Sequence, residues 1–486
     1  MMLFMGVDVG TQGVRAIVVD EAGKSAADAS VSFNTLNLAD TPDYYEQNPE
    51  TWWESTAKVI TSVVAELKNK GFKPSDIAAI SIDGTSGTIL PINENNKSLT
   101  NGIMYNDMRS KAETAAVRSV CSGHEAKMGL RFNASFALPK ILWIKNNMPH
   151  IYEKTHLFIH QADYIVGKLC GEYGISDYSN SLKTGYDLID DCWPEYLEQL
   201  GIERAKLPNI VAPGEFIGKV SKEAAEELGL STATSVMAGA TDGYASALAA
   251  GAVHVGSWAT IIGTTLVLKG VSQNIMIDKT GSSYCHKLPS GSWMVGGASN
   301  VGGRCLNNRF DKSQFEILDK SVDMLSPTGV LIYPLTGKGE RYPFVDPNAQ
   351  EFIVGNVSDE RVLYTALMEG VGYVERLAYD LNIKMGCTIG DEIYTSGGAC
   401  RSDEWLRIRA SIMNRSMKVP AVVDAAMGSA MLAASKNYFA SLEEAADNMI
   451  NFAKTVEPVR EKVKIYDELF SAFREQCRKR FELGGL

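Results

Sequence analysis

The sequence has few of the features that would mark a membrane, secreted or nucleic-acid-binding protein. No apolar run approaches the roughly 18 residues that a membrane-spanning helix needs. The eight cysteines include no C-x-x-C pair, so they are interpreted as buried or free thiols. Acidic residues outnumber basic ones by 58 to 47, a net charge of −11, which argues against a protein held to nucleic acid by phosphate contacts.

Two common catalytic signatures are also missing. The sequence contains no G-x-x-x-x-G-K-[ST], which excludes a P-loop enzyme, and no G-x-S-x-G, which argues against a serine hydrolase. Residues 1–5 have no basic flank and are soon followed by residues typical of a turn, so no secretion signal is expected. Together with the lack of a membrane span, this predicts a cytoplasmic protein.

The chain has 486 residues with an average globular composition, enough for two large domains or three smaller ones. An apolar strand over 3–9, a glycine turn and a second strand over 14–19 open the sequence. Helices are predicted over 49–70 and 459–481. This strand–turn–strand opening differs from the strand–turn–helix of parallel βαβ nucleotide folds.

The same strand–turn–strand pattern occurs twice. Residues 257–268 repeat it, so that the Gly-Thr pair at 10–11 has a counterpart at 263–264, slightly more than half the chain later. The repeat indicates two similar domains, 1–252 and 253–486, although two unrelated β-hairpins would give the same pattern.

The first motif with chemical meaning is the segment 8–15. Backbone N–H groups of a glycine turn can approach phosphate closely, and Thr11 adds a hydroxyl. Asp8 stands beside this turn and is suited to Mg²⁺, directly or through water. Arg15 could neutralise the charge of a transferred phosphoryl group. The alternative for Asp8 is a carboxylate that only caps its own turn.

The second motif is Asp242, at a predicted junction between a strand over 235–238 and a helix over 244–250. A carboxylate at this edge of a sheet can accept a proton from a substrate hydroxyl as it attacks phosphate. An ordinary helix N-cap would look the same in the sequence.

Three further segments are polar or glycine-rich turns after strands. The turn at 395–405 could admit a flat purine, and 297–303 is similar in kind. The cluster at 83–88, with 105–109 downstream, offers hydroxyls, amides and carboxylates that suit a polyhydroxylated ligand. Each segment is equally compatible with a tight structural turn.

In this order, the motifs resemble the FGGY family of carbohydrate kinases, in the actin, hexokinase and Hsp70 ATPase superfamily. The resemblance runs from residues 7–11 to the 428–430 helix and includes 47–53 and 139–144. It implies an α/β, two-domain actin/hexokinase-like (ribonuclease H-like) fold with the active site in the interdomain cleft. It also implies sugar and phosphate binding in the first domain, nucleotide binding in the second, and ATP and Mg²⁺ as cofactors.

The resemblance also assigns roles to individual residues. Asp242 would be the general base on the sugar hydroxyl, and Asp8 the Mg²⁺-associated carboxylate. The implied ATP contacts are Gly10, Thr11, Gln12, Arg15, Gly263, Thr264, Thr265, Gly302, Gly398, Ala399 and Ser402, and the implied sugar contacts are Thr85, Ser86, Asp107 and Asp242.

Segments 82–88, 282–288, 297–300 and 339–343 look like a ketopentose-kinase branch of the family found in cyanobacteria and plants. Thr85-Ser86 stands where bacterial xylulokinases carry a Met-His pair, so D-ribulose is expected beside D-xylulose as a substrate converted to the 5-phosphate. The alternatives are an actin-like ATPase without sugar kinase activity and a kinase for another polyol such as glycerol. The expected partners are the sugar and ATP, with neither nucleic acid nor membrane, and a homodimer is left open.

Overall fold

The computed structural model describes residues 1–33, 41–481 and 483. The chain forms two compact units, and neither is one continuous segment. The first consists of Met1–Ala249, His286–Gly291 and Asp424–Asn451, and the second of the remaining stretches Ala250–Cys285, Ser292–Val423 and Phe452–Leu486. The predicted boundary after residue 252 falls close to the first crossing, but the later return of Asp424–Asn451 to the first unit was not predicted.

The strands, in chain order, have the following bounds: β1 Leu3–Val9, β2 Gly13–Asp20, β3 Ser25–Ser32, β4 Glu46–Gln47, β5 Ile77–Gly84, β6 Leu90–Ile92, β7 Gly102–Ile103, β8 Leu157–Ile159, β9 Ile175–Asp177, β10 Asn209–Val211, β11 Phe216–Lys219, β12 Ser235–Thr241, β13 Trp258–Ile262, β14 Leu266–Ser272, β15 Tyr284–Lys287, β16 Trp293–Ser299, β17 Leu331–Tyr333, β18 Phe352–Val354, β19 Glu392–Ser396, β20 Ser416–Pro420 and β21 Phe452–Val456.

The α-helices, in chain order, are α1 Pro49–Asn69, α2 Lys111–Met128, α3 Ala137–Asn147, α4 Pro149–Lys154, α5 Gln161–Cys170, α6 Tyr178–Ser181, α7 Tyr196–Gln199, α8 Lys222–Leu228, α9 Asp242–Ala249, α10 Arg304–Asn307, α11 Phe315–Leu325, α12 Glu360–Lys384, α13 Asp403–Met413, α14 Ala425–Ala434, α15 Leu442–Met449 and α16 Arg460–Arg480.

The first unit is built on a six-stranded sheet with the order β11-β12-β5-β1-β2-β3. Strands β12, β5 and β1 run parallel, and the β1–β2–β3 meander extends the sheet antiparallel. The predicted opening of strand, glycine turn and strand is therefore confirmed. All but one residue of β1 are buried, which explains why it reads as an apolar run rather than an alternation.

Helix α14 packs against β1 at very short range. A Cβ atom built on Gly6 would lie 1.8 Å from the carbonyl oxygen of Ala426, so only glycine fits at this point of the strand. Every residue of α14 is buried. This contact is the physical reason why residues 424–451 belong to the first unit, although they follow most of the second in sequence.

The second unit has its own mixed sheet, in which six of the seven strands follow the order β16-β14-β13-β19-β20-β21. Strands β13 and β14 form an antiparallel hairpin around the second Gly-Thr pair, so the predicted repetition of the opening hairpin is confirmed. Helix α12 supplies much of this unit's core, with Leu367, Val371 and Val374 fully buried. Among the described residues, no helix has both the length and the apolarity needed to cross a membrane.

Candidate active site

The candidate site lies at one edge of the first unit's sheet, where three parallel strands end together. Val9 at the end of β1 and Thr241 at the end of β12 are both in register with Gly84 at the end of β5. The first Gly-Thr turn, the polar loop after β5 and Asp242 follow these ends directly. Ligands of open α/β sheets bind at the carboxyl ends of parallel strands, so this edge can hold a ligand.

Two carboxyl groups contact each other on adjacent strands. Asp8 of β1 is in register with Asp83 of β5, which is completely buried, and Ser429 Oγ of α14 donates to Asp83 Oδ2 at 2.6 Å. Burial, reinforced by the Asp8 charge, raises the pKa of Asp83 well above its usual value, although the Ser429 hydrogen bond opposes this. Burial also raises the pKa of Asp8 to about 6, although its hydrogen bond with Asp83 lowers it. The pair therefore tends to retain a proton.

Arg15, predicted to face phosphate, forms an ion pair in the first unit. Its Nη1 lies 3.0 Å from Asp424 Oδ2, with 62% of the Arg15 side chain and 31% of the Asp424 side chain exposed. An ion pair this exposed contributes little to stability, so the guanidinium can reorient towards a ligand at small cost. The charge of Arg15 lowers the pKa of Asp8, and the charge of Asp424 raises it.

Asp242 is the first residue of α9 and is half-buried. The Gly243 N–H donates to Asp242 Oδ1 at 2.7 Å, and among the described residues no group donates to Oδ2. Burial raises the pKa of Asp242, while the Gly243 hydrogen bond and the charge of Lys183 lower it. The carboxylate thus keeps one oxygen available to accept a proton.

In the loop after β5, the hydroxyl group of Thr85 is bonded internally and that of Ser86 is free. Thr85, predicted to contact the sugar, uses its side chain internally: Thr85 Oγ1 lies 2.6 Å from Gln161 Oε1 and 2.6 Å from Thr88 Oγ1. Ser86 is half-buried, and its Oγ has no hydrogen-bond partner among the described residues. Of the two predicted sugar contacts in this loop, Ser86 is therefore the one with a free hydroxyl.

Asp107, also predicted to contact the sugar, is fully buried and occupied. It accepts hydrogen bonds from the Tyr45 N–H at 2.7 Å and from the Arg109 Nη2 at 2.7 Å. Arg109 also pairs with Glu46 at 2.7 Å. The structure therefore places Asp107 as a support for Arg109.

A buried lysine holds the polar loop in place. Lys140 Nζ donates to the carbonyl oxygens of Gly87 at 3.1 Å, Ser135 at 2.9 Å and Phe136 at 3.5 Å. Burial lowers the pKa of Lys140 well below its usual value, and the charge of Lys183 lowers it further.

Two more buried networks fix the neighbouring segments. His160 contacts Asp163 at 2.8 Å through Nδ1 and Thr184 Oγ1 at 2.7 Å through Nε2. The Thr241 N–H, directly before Asp242, donates to Ser179 Oγ at 2.8 Å. These bonds hold the segments that carry Lys183 and Asp242 rigidly.

The first Gly-Thr turn is closed by backbone bonds and is partly exposed. The Gly10 N–H donates to the Gly13 carbonyl at 2.9 Å, and the Thr11 carbonyl accepts from Gln47 Nε2 at 2.8 Å. Gly10 and Thr11 are half-buried, and Gln12 is exposed. No hydrogen bond engages the Thr11 hydroxyl within the described residues, and a hydroxyl beside such a turn can donate to phosphate.

The second Gly-Thr turn, in the second unit, lies against another glycine turn. The Gly263 N–H donates to the Thr265 carbonyl at 3.0 Å, and both Gly263 and Thr264 are exposed. A Cβ on Gly302 would lie 2.5 Å from Thr265 Cα, so Gly302 allows the two turns to pack together.

The predicted adenosine corner borders the same hairpin. Gly397 has φ 92°, and a Cβ there would lie 2.4 Å from the Ile262 carbonyl oxygen, so only glycine fits. Gly398 is exposed, whereas Ala399 is buried. Ser402 caps α13 by accepting a hydrogen bond from its first turn at 3.1 Å. Ser402, one of the implied ATP contacts, is thus the N-cap of α13, and the exposed backbone lies at Gly398.

The carboxylates at the edge of the first sheet suit Mg²⁺. Asp83 Oδ1 is buried, and no N–H or hydroxyl group of the described residues donates to it. Asp8, beside it, is half-buried and within reach of solvent. No group of three or more His, Cys, Asp or Glu side chains in the described ranges could enclose a metal ion. Mg²⁺ in proteins is commonly held by one or two carboxylates and several waters, so the adjacent Asp8 and Asp83 are a suitable donor set.

Several residues of this edge had not been predicted from the sequence. Asp83 stood within a quoted motif but was given no role, and Ser429 is far from it in sequence. Lys183 lies outside any motif with a chemical interpretation. A signal existed only for Asp83, a carboxylate inside an otherwise apolar strand.

Comparisons with known proteins support one family. The model of the FGGY family of carbohydrate kinases, N-terminal domain, matches residues 3–249, and that of the C-terminal domain matches residues 251–436. A xylulose kinase of Bacillus subtilis (strain 168) is 28% identical over 98% of this chain and 96% of its own. A gluconokinase of the same strain is 27% identical over 96% of this chain and 94% of its own. The crystal structure of a xyloylose kinase from Brucella ovis superposes with a TM-score of 0.87 at 24% identity, covering 98% of this chain and 99% of the other.

Proposed function

Because the chain belongs to the FGGY family of carbohydrate kinases, we propose that it phosphorylates a ketopentose, D-xylulose or D-ribulose, at the 5-hydroxyl, with Asp242 as the general base. The chain is a carbohydrate kinase with the two-domain actin/hexokinase-like fold, and it uses ATP and Mg²⁺. The xylulose kinase relative supports the choice of a ketopentose.

One observation carries the assignment of the base. Asp242 stands at the end of a buried strand with Oδ2 free of donors in the described structure. An oxygen in this state can accept the proton of a sugar hydroxyl as that hydroxyl attacks the γ-phosphate. Ser86, with its free hydroxyl on the neighbouring loop, would help to hold the sugar.

The remaining groups would bind the phosphates and the nucleotide. Bound Mg²⁺ neutralises negative charge on the phosphate oxygens, and Asp8 would hold it. The Thr11 hydroxyl and the exposed Gly263-Thr264 backbone would donate hydrogen bonds to phosphate oxygens. The exposed backbone at Gly398 would border the adenosine. Phosphoryl transfer through a loose transition state needs such positioning more than covalent chemistry.

The Asp242→Asn variant tests the proposed base. Asparagine keeps an oxygen for the Gly243 N–H but is too weak a base to take the proton, so we expect kcat to fall about 10²- to 10⁴-fold. ATP affinity should change less than about twofold, and thermal stability should be retained. Asp28→Asn, on the exposed side of β3, serves as the matched control.

Steady-state rates with D-ribulose, D-xylulose and glycerol complete this experiment. A preference in kcat/KM for either ketopentose supports the proposed substrate class. Near-normal turnover of Asp242→Asn with the preferred sugar would show that another group is the base.

A further inference from the structure

Lys140, which holds the polar loop of the first unit, lies within electrostatic range of two other cations, Arg109 and Lys183. Two of these three cations are fully engaged. Lys140 donates to the carbonyl oxygens of Gly87, Ser135 and Phe136, which uses all three of its N–H groups. The Arg109 guanidinium is neutralised by its ion pairs with two carboxylates. Neither cation is available to a ligand.

Lys183 is different. It is half-buried, and within the described ranges no carboxylate lies within 4.0 Å of its ammonium group. Its Nζ lies 5.5 Å from the ring centroid of Phe136, and its Cδ lies 3.3 Å from the position that a Cβ on Gly87 would take. Its charge also acts on Asp242 and lowers the pKa of that carboxyl group. The Lys183 ammonium is therefore a cation without a carboxylate partner, on a side chain beside Gly87 of the polar loop and within electrostatic range of the proposed base.

The backbone that carries Lys183 is fixed. The next residue, Thr184, is fully buried and is bonded to His160 Nε2 at 2.7 Å. The residue after His160, Gln161, holds Thr85 of the polar loop at 2.6 Å. The start of α5 thus anchors both the lysine segment and the loop, so the backbone that carries the ammonium group is in place before any ligand binds.

The chemistry of an ammonium group limits what it selects. It carries three donors and no acceptor, whereas the Ser86 hydroxyl can both donate and accept. A hydroxyl of a sugar satisfies either group. A carbonyl or carboxylate oxygen only accepts, and it forms its strongest hydrogen bonds with a charged donor.

Building on the proposed sugar kinase function, we propose that Lys183 is a substrate-contacting specificity residue. It selects a sugar that presents an acceptor-only oxygen, the keto carbonyl of a ketose or the carboxylate of a sugar acid, over the alditol with a hydroxyl at that place.

The test uses the full chain, ketose and alditol pairs that differ only at this oxygen, and one sugar acid. D-ribulose and D-xylulose are compared with ribitol and xylitol, their reduced forms, and D-gluconate provides the carboxylate arm. The variants are Lys183→Met, which keeps an apolar stem beside Gly87 but removes the charge, and Lys183→Arg, which keeps the charge. Lys58→Met, on the exposed side of α1, is the matched control.

We expect the wild type to prefer the ketopentoses or gluconate over the alditols by at least about tenfold in kcat/KM. Lys183→Met should remove most of that preference, mainly by raising KM for the preferred sugar, while KM for ATP and the alditol rates change less than about twofold. Lys183→Arg should restore most of the preference. The carbonyl and carboxylate arms show which oxygen the wild type takes.

Two results would overturn the inference and leave the kinase assignment intact. One is a wild-type preference for alditols, and the other is an equal fall in kcat/KM for ketose and alditol in Lys183→Met. Calorimetric titration of each sugar without nucleotide separates the two failures. If no sugar is phosphorylated but ketose binding depends on Lys183, the proposed function fails and the inference stands.

Discussion

At the scale of single residues, the contact between Asp8 and Asp83 makes the stability of the first unit depend on pH. The ordinary pKa of 3.8 is raised to about 6 for Asp8, chiefly by burial. Between these values the folded protein holds a proton that the unfolded chain has released. The protonated Asp8 therefore contributes its full stabilisation of the folded state below about pH 3.8, and this contribution is lost as the pH rises through about 6.

The Asp83→Asn variant should reduce this loss. Asparagine can still accept from Ser429 and can donate to Asp8, so it removes a like charge while keeping the hydrogen bonds. We expect the difference in melting temperature between Asp83→Asn and wild type to grow in favour of the variant from pH 4 to pH 8. The growth should correspond to about 1–2 kcal/mol in the free energy of unfolding. Differential scanning calorimetry across this range measures it, with Asp28→Asn as control. If the difference in melting temperature between variant and wild type did not change with pH, the Asp8–Asp83 contact would not be the source of the pH dependence.

Residue-level prediction from sequence succeeded where the relevant partners are close in the chain. The glycine turn beside Asp8 depends on neighbours within a few positions, since the Gly10 N–H donates to the Gly13 carbonyl. The partner of Asp83 could not be predicted, because Ser429 is 346 residues away and nothing in either segment indicates the other. The internal engagement of Thr85 by Gln161 was missed for the same reason.

At the scale of elements, strands and amphipathic helices were predictable, and the fully buried helix was harder to interpret. Helix α1 has a clear apolar face with a capping Asn48, and its bounds agree with the prediction within one residue. Helix α14 consists of alanine, methionine, leucine, glycine and serine that are buried on all sides. Because it has no polar face, its periodicity does not indicate which side packs, or against what.

The packing of α14 can be tested at one glycine. A Cβ on Gly428 would lie 2.0 Å from the Ala245 carbonyl oxygen of α9, which is backbone and cannot move aside cheaply. We therefore expect Gly428→Ala to destabilise the protein by about 1–3 kcal/mol.

Gly123, inside α2, is the matched comparison because a Cβ there meets nothing within 4 Å. Gly123→Ala should be neutral or stabilising by up to about 1 kcal/mol, since alanine favours the helix. Thermal melts of both variants measure the contrast. Equal melting temperatures would show that α14 does not depend on this close approach.

At the scale of the whole molecule, the repeated hairpin predicted two units, and the structure contains two. What the repeat could not predict is that the first unit takes back residues 424–451 after the chain has built most of the second. Sequence order suggests a boundary at 252. The units of the folded chain are instead defined by which segments pack against each other. The apolar faces of β1 and β5 are buried partly by a helix from the far end of the chain.

This arrangement predicts how fragments will fold. Residues 1–252 alone lack α14, which leaves the Gly6 surface and the Asp83 carboxyl group without their partners. We expect this fragment to be aggregated or without a cooperative melt. Joining residues 424–451 to it through a Gly/Ser linker of about 30 residues, with an average span of about 30 Å, should restore a cooperative transition. Near-UV circular dichroism during heating measures this. The same linker carrying residues 452–479, which belong to the second unit, should not restore it. A fragment 1–252 that melts cooperatively by itself would show that the first unit needs no helix from the end of the chain.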